Sequence, residues 1–151
     1  MKIAIISELA MQQFGAKLST LLSSDATIEL IGDVGAGKTT LTRSIARGLN
    51  IADTIHSPTF TISNRYQAPN GQLLAHYDFY RLTDAGIMKD ELAEVIEDKH
   101  VITIIEWGDI IEDVLPEDRL TIKIVSDSEH SRQLEVVGHG KEMSELVERL
   151  V

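Results

Sequence analysis

The sequence predicts an α/β fold: a mostly parallel central sheet, helices on both faces and an antiparallel hairpin. Three observations carry this. Strand-patterned and helix-patterned segments alternate along the chain. Val101 to Ile105 is an almost unbroken apolar, β-branched run, as a parallel strand buried on both faces requires. Asn70-Gly71 sits between two strand-patterned stretches, and this dipeptide favours tight hairpins because both residues tolerate positive φ.

The elements follow in order. Lys2 to Ile6 reads as a short strand. Ser7 can cap a helix over Glu8 to Leu22, with Leu9, Phe14, Leu18, Leu21 and Leu22 as its apolar stripe. Thr27 to Ile31 is a second strand, and Thr39 to Leu49 a second helix. Ile62 to Tyr66 and Leu73 to Tyr77 form the hairpin around Pro69-Asn70-Gly71. Ile87 to Asp98 is a helix, and Ile110 to Val114 a short one that stops before Pro116. Leu120 to Val125 and Gln133 to Val137 pair as a second hairpin, and Met143 to Leu150 closes the chain as a helix.

The chain has 151 residues, a length that suits one domain over residues 1–151. It is 43% hydrophobic and 25% charged, as ordinary globular domains are. With no cysteine, disulfides, thiol catalysis and cysteine-ligated zinc are excluded, and a reducing cytoplasm fits. The net charge of −10 argues against a direct grip on nucleic acid, whose affinity comes from basic contacts to phosphate. It is either a solubility feature or a guide to a basic partner. No stretch reaches the ~18 apolar residues that span a bilayer. The N-terminus lacks a signal-peptide pattern, so the expected location is the cytoplasm, with no membrane partner.

The strongest motif is Gly32-Asp33-Val34-Gly35-Ala36-Gly37-Lys38-Thr39, which fits G-x-x-x-x-G-K-[ST] between a strand and a helix. Its glycines let successive N–H groups turn inward as an anion nest over the positive end of the helix. Lys38 offers a point charge to the β- and γ-phosphates, and Thr39 a hydroxyl for magnesium. The motif predicts a P-loop NTPase fold binding a nucleoside triphosphate. No Asn-Lys-x-Asp guanine motif is present, so ATP is expected.

Phosphoryl transfer also needs a carboxylate near the metal and a group to orient the attacking water. Two acids end strand-patterned runs, where ligands bind in open α/β sheets. Glu106 follows Val101 to Ile105 and reads as a water-activating base or as a cap on the next helix. Asp78 follows Leu73 to Tyr77 and reads as a magnesium ligand. An extended His76-Tyr77-Asp78-Phe79-Tyr80 would put His76, Asp78 and Tyr80 on one face. His76 reads as structural or catalytic, and Arg81 as a phosphate contact or an anchor for an acidic loop. Trp107 packs over the nucleotide, anchors a partner or fills the core. Ser57-Pro58-Thr59-Phe60 reads as a switch loop sensing the γ-phosphate through Thr59, or as a proline turn before a strand.

The ordered set Gly32 to Thr39, Ser57-Pro58-Thr59-Phe60, His76-x-Asp78-x-Tyr80-Arg81 and Ile105-Glu106-Trp107 resembles the bacterial tRNA threonylcarbamoyladenosine biosynthesis ATPase family, TsaE. The resemblance implies an ATPase that energises or resets a partner assembly. That assembly threonylcarbamoylates the adenosine beside the anticodon of tRNAs reading codons that begin with A. It implies two protein partners, TsaD and TsaB, with tRNA contacted only through them. It implies that Asp33, Val34, Gly35, Ala36, Gly37, Lys38, Thr39 and Thr40 bind ATP, with Trp107 beside it. Thr39, Asp78 and Glu106 would serve magnesium, and Glu106 and Thr59 would be the catalytic residues.

Overall fold

A computed structural model of the chain describes residues 1–150. The expected domain of residues 1–151 therefore includes one residue, Val151, outside the described ones. The elements in chain order are β1 (Lys2–Ile5), α1 (Glu8–Ser19), β2 (Thr27–Ile31), α2 (Lys38–Gly48), β3 (Ser63–Gln67), β4 (Leu73–Asp78), α3 (Ile87–Glu97) and β5 (Val101–Glu106). A 3-10 helix (Gly108–Val114), β6 (Arg119–Ser126), β7 (Arg132–His139) and α4 (Gly140–Arg149) follow.

All seven strands lie in one sheet of order β1-β7-β6-β2-β5-β4-β3. The pairings β6–β2, β2–β5 and β5–β4 are parallel, while β1–β7, β7–β6 and β4–β3 are antiparallel. The expected parallel sheet is thus confined to its four central strands. Both hairpins form as read, and each ends one side of the sheet antiparallel because a tight turn can only return the chain that way. The first strand adds to β7 rather than to its neighbour in sequence, with the Met1 ammonium donating to Val136 O at 2.7 Å.

Side chains alternate across the strands, so the sheet has two distinct faces. Ile28, Leu30, Ile102, Ile104, Leu120, Ile122, Leu134 and Val136 bury one face under α1, α2 and α4. Ala75, Tyr77, Val101 and Ile105 bury part of the other under α3 and the 3-10 helix, through Leu92, Val95 and Ile111. Helices therefore cover both faces, as expected.

Helix α1 stops at Ser19, three residues short of the expected end. The Thr20 N–H turns back to Lys17 O and the Thr20 Oγ1 donates to the same carbonyl, which closes the last turn. The face it buries carries Met11, Phe14, Gly15 and Leu18, and Leu9 is exposed. Leu9 stands two residues before Met11, about 200° away around a helix of 3.6 residues per turn. The apolar stripe therefore cannot include both. Gly15 and Gly48 mark where α1 and α2 touch: a Cβ on Gly15 would stand 2.4 Å from the Ser44 Cβ. Strand β3 starts one residue later than expected because Ile62 adopts φ 70°, which ends the loop before it rather than extending the strand.

Gly15→Val should separate α1 from α2, since the backbone of Ser44 and Ile45 lies within about 3 Å of the new side chain. The expected cost is about 1–3 kcal/mol, the range for overpacking a tight contact. An unchanged midpoint in urea denaturation would show that the two helices do not pack as closely as described.

Candidate functional site

The site grows out of strand register. Leu30 of β2 pairs with Glu106 of β5, and Glu106 pairs with Asp78 of β4. Three neighbouring strands thus end level, with the glycine-rich loop rising from one and a carboxylate from each of the other two. Asp78 and Glu106 have the same parity as Leu74 and Ile104, so both point to the α2 face. They are 3% exposed each.

The loop's geometry matches its motif. Gly35 and Gly37 have φ of 81° and 113°, which a Cβ would disfavour. Gly37 ends the loop as the cap residue of α2, and no side chain caps the helix. The N–H groups of its first turn have no intrahelical acceptors and stand at the positive end of the helix dipole. Lys38 is 6% exposed, and its Nζ donates to Gly32 O at 2.6 Å and Asp33 O at 2.8 Å. A buried ammonium must be paired, and the loop's own carbonyls do this. Phosphate oxygens can take over that role without moving the lysine far.

Around this cradle the other candidates gather. A cavity of about 440 Å³ is lined by Lys38, Thr39, Thr40, Ser57, Thr59, Asp78, Tyr80, Arg81, Glu106 and Trp107, with Val34, Gly35 and Gly37 from the loop. Thr59 Oγ1 donates to Asp78 Oδ2 at 2.8 Å and shares a 2.7 Å hydrogen bond with the Ser57 hydroxyl. The Asp78 N–H donates to Ile62 O, so the Ser57–Ile62 loop is fastened to the end of β4 at two points. Thr39 and the two carboxylates offer hard oxygens, the donor chemistry that suits magnesium. No cluster of three acidic or histidine side chains capable of holding a metal occurs among the described residues.

Trp107 follows Glu106 with φ 57°, an uncommon backbone for a bulky residue. This sharp turn throws the ring back over the site. Its centroid lies 4.9 Å from that of Tyr80 and 5.3 Å from Lys38 Nζ. Trp107 thus lines the cavity and also packs on the smaller core. Tyr80 leaves the line of His76 and Asp78, because β4 ends at Asp78 and the Tyr80 N–H bonds back to Asp78 Oδ1 at 2.9 Å. Arg81 lies over the Phe60 ring at 4.2 Å, which makes it an anchor for the Ser57–Ile62 loop. His76 is fully buried and its Nε2 lies 2.8 Å from Glu106 Oε1.

Two features are absent from the sequence reading. Arg132, at the start of β7, donates from Nε to Ala36 O at 2.8 Å and so ties the second hairpin to the loop. A second cavity, of about 360 Å³, shares Gly37 and Thr40 with the first and is also lined by Ile5, Ile6, Ser7, Glu8, Met11, Glu129, His130 and Arg132. Its walls come from three segments distant in sequence, and no motif marks them. The nearest signal is the strand-to-helix junction at Ser7, which places a first turn beside the loop. On the opposite side of the loop, a cavity of about 450 Å³ lies between Trp107 and the exposed sheet face at Ile31, Lys123 and Val125.

Known proteins match this arrangement. The family model for the threonylcarbamoyl adenosine biosynthesis protein TsaE matches residues 5–134. The tRNA threonylcarbamoyladenosine biosynthesis protein TsaE of Bacillus subtilis (strain 168) is 36% identical over 141 residues, covering 89% of this chain and 84% of the relative. That of Streptomyces coelicolor is 34% identical over 136 residues, covering 87% and 92%. A crystal structure of Bacillus subtilis YdiB superposes with a TM-score of 0.82 at 29% identity, covering 99% of this chain and 93% of that one. The fold is the P-loop fold.

Arg132→Met keeps most of the aliphatic bulk and removes the tether to Ala36. Amide exchange across residues 33–37 should accelerate about tenfold, the equivalent of one charge-assisted hydrogen bond of about 1.5 kcal/mol. Exchange at the parent rate would mean that the loop holds its shape unaided.

Proposed function

This chain belongs to the TsaE family and has that family's role in tRNA threonylcarbamoyladenosine biosynthesis. On that premise we propose that it is a magnesium-dependent ATPase, acting in the cytoplasm as an accessory to the partner complex that makes the modification. The observation that supports this most is the level ending of β2, β5 and β4. It sets a phosphate loop and two buried carboxylates around one cavity.

In this reading the amides of Asp33, Val34, Gly35, Ala36, Gly37, Lys38, Thr39 and Thr40 hold the phosphates, and Lys38 exchanges its two carbonyl partners for β- and γ-oxygens. The γ-phosphate points toward Glu106, Asp78 and Thr59. The base then leaves at the other end, past Gly37 and Thr40, into the cavity lined by Ile6, Met11 and Arg132. Thr39 and Asp78 would hold the metal directly, with Glu106 completing its surroundings. When bound, the ion neutralises charge on the transferring phosphoryl group.

Glu106 orients a water against the γ-phosphorus and receives its proton. The water oxygen forms the new P–O bond, the bond from phosphorus to the β–γ bridging oxygen breaks, and ADP leaves with inorganic phosphate as the second product. Thr59 senses the γ-phosphate by giving up its bond to Asp78, which loosens the Ser57–Ile62 loop. Trp107 screens the phosphate end. TsaD and TsaB are the protein partners, and tRNA contacts them rather than this acidic chain. The hydrolysis energises or resets their cycle.

Glu106→Ala should lower turnover by at least 10²-fold while ATP still binds, because it removes the water-orienting group and leaves the cradle whole. Steady-state hydrolysis and calorimetry check the two halves separately, and a variant that turns over at the parent rate rules out this role. Lys38→Ala should weaken ATP binding, since it removes the charge facing the phosphates. Unchanged affinity would contradict the loop's assignment. Hydrolysis should rise when TsaD, TsaB and tRNA are added together, and no stimulation by any combination would refute the accessory role.

A further inference from the structure

Among the buried polar groups that the mechanism leaves unused is His76. His76 has no exposed surface and lies in the middle of β4, among the aliphatic side chains of the α2 face. Its register partner on β5 is Ile104, so Glu106 is its diagonal neighbour on the same face. The Nε2–Oε1 distance of 2.8 Å is that of a direct hydrogen bond. With Glu106 ionised, Nε2 carries the hydrogen and donates to the carboxylate. Nδ1 is buried with no partner among the described residues. A histidine placed only to satisfy the core would have both nitrogens paired. This one has only the nitrogen that reaches Glu106 paired.

We propose that His76 is the positioning residue of the hydrolytic carboxylate: it pins Glu106 through Oε1 and leaves Oε2 as the single oxygen facing the γ-phosphate end. This deepens the ATPase reading and rests on it. Glu106 sits at the last residue of β5, where the chain turns sharply into Trp107, and backbone pairing alone does not fix its χ angles. Among the described residues its hydrogen-bonded side-chain contact is His76. A carboxylate held by one hydrogen bond at Oε1 has less freedom to rotate, so its orientation toward water is restricted. His76 touches no substrate and acts only through Glu106.

The test compares His76→Leu with His76→Gln in the full chain assembled with its partners. Leucine removes the orphaned Nδ1 but also leaves the buried Glu106 Oε1 without its donor, so the melting temperature should fall somewhat in this variant. Turnover should fall about 10- to 100-fold, the usual cost of a misplaced catalytic group, while the dissociation constant for ATP measured by calorimetry stays within about twofold. Glutamine extends an amide N–H to roughly where Nε2 stands and should recover most of the lost kcat. Parent-like turnover in His76→Leu overturns the proposal. So does a loss that glutamine fails to recover, or one accompanied by an equal loss of ATP affinity, because each marks a packing role. If the parent itself hydrolyses no ATP with any partner combination, the ATPase reading fails and takes this proposal with it. Parent turnover with an unaffected leucine variant removes this proposal alone.

Discussion

Everything at the site depends on the register of three parallel strands. Glu106 of β5 is the register partner of both Leu30 of β2 and Asp78 of β4, so the loop and both acids begin at the same height. Side chains alternate along a strand, and a slip of one residue would turn Glu106 and Asp78 to the α3 face, away from the loop. The register is enforced from below by Ile28, Ile102, Ile104 and Leu74, which fit under α2 only in this phase. Hydrophobic burial along the strands thus sets the geometry of polar groups at their ends.

The ends themselves are held by a small number of directed contacts. Arg132 fastens the phosphate loop, Thr59 fastens the Ser57–Ile62 loop to Asp78, and His76 fastens Glu106. Each links a segment to one far away in sequence. Trp107 and Ile62 take left-handed backbone conformations that bulky residues rarely adopt; Trp107 lines the cavity, and Ile62 ends the loop whose Ser57 and Thr59 line it. The strain is concentrated where chain direction reverses, while the sheet below stays regular.

Charge is organised in the same spirit. The chain carries −10 overall, yet the buried polar groups of the site include both Lys38 and two carboxylates. The ammonium is paired with loop carbonyls rather than with the acids, which leaves Asp78 and Glu106 to other donors. An excess of acid on the surface coexists with an anion cradle because the cradle is made of backbone dipoles and one lysine.

The elements most legible in the sequence were those whose signal is local. Gly35 and Gly37 announced a loop with positive φ, and Val101 to Ile105 announced a central strand. Asn70-Gly71 announced a hairpin. Asp78 and Glu106 were found because strand ends are visible in the hydrophobic pattern. Which partner each would meet was not visible. The pattern could not show that β1 joins β7, that Leu9 faces outward while Met11 faces in, or that His76 reaches Glu106 rather than solvent. Arg132 and the Ile5–Met11 wall of the second cavity carry no motif at all. By itself the sequence determined the kinds of element and the backbone geometry of the glycine-rich loop, because those follow from backbone freedom and short-range periodicity. Only the tertiary structure decided the register, the tethers and the cavities. These come from long-range packing, whose energy is shared among residues that no local window contains.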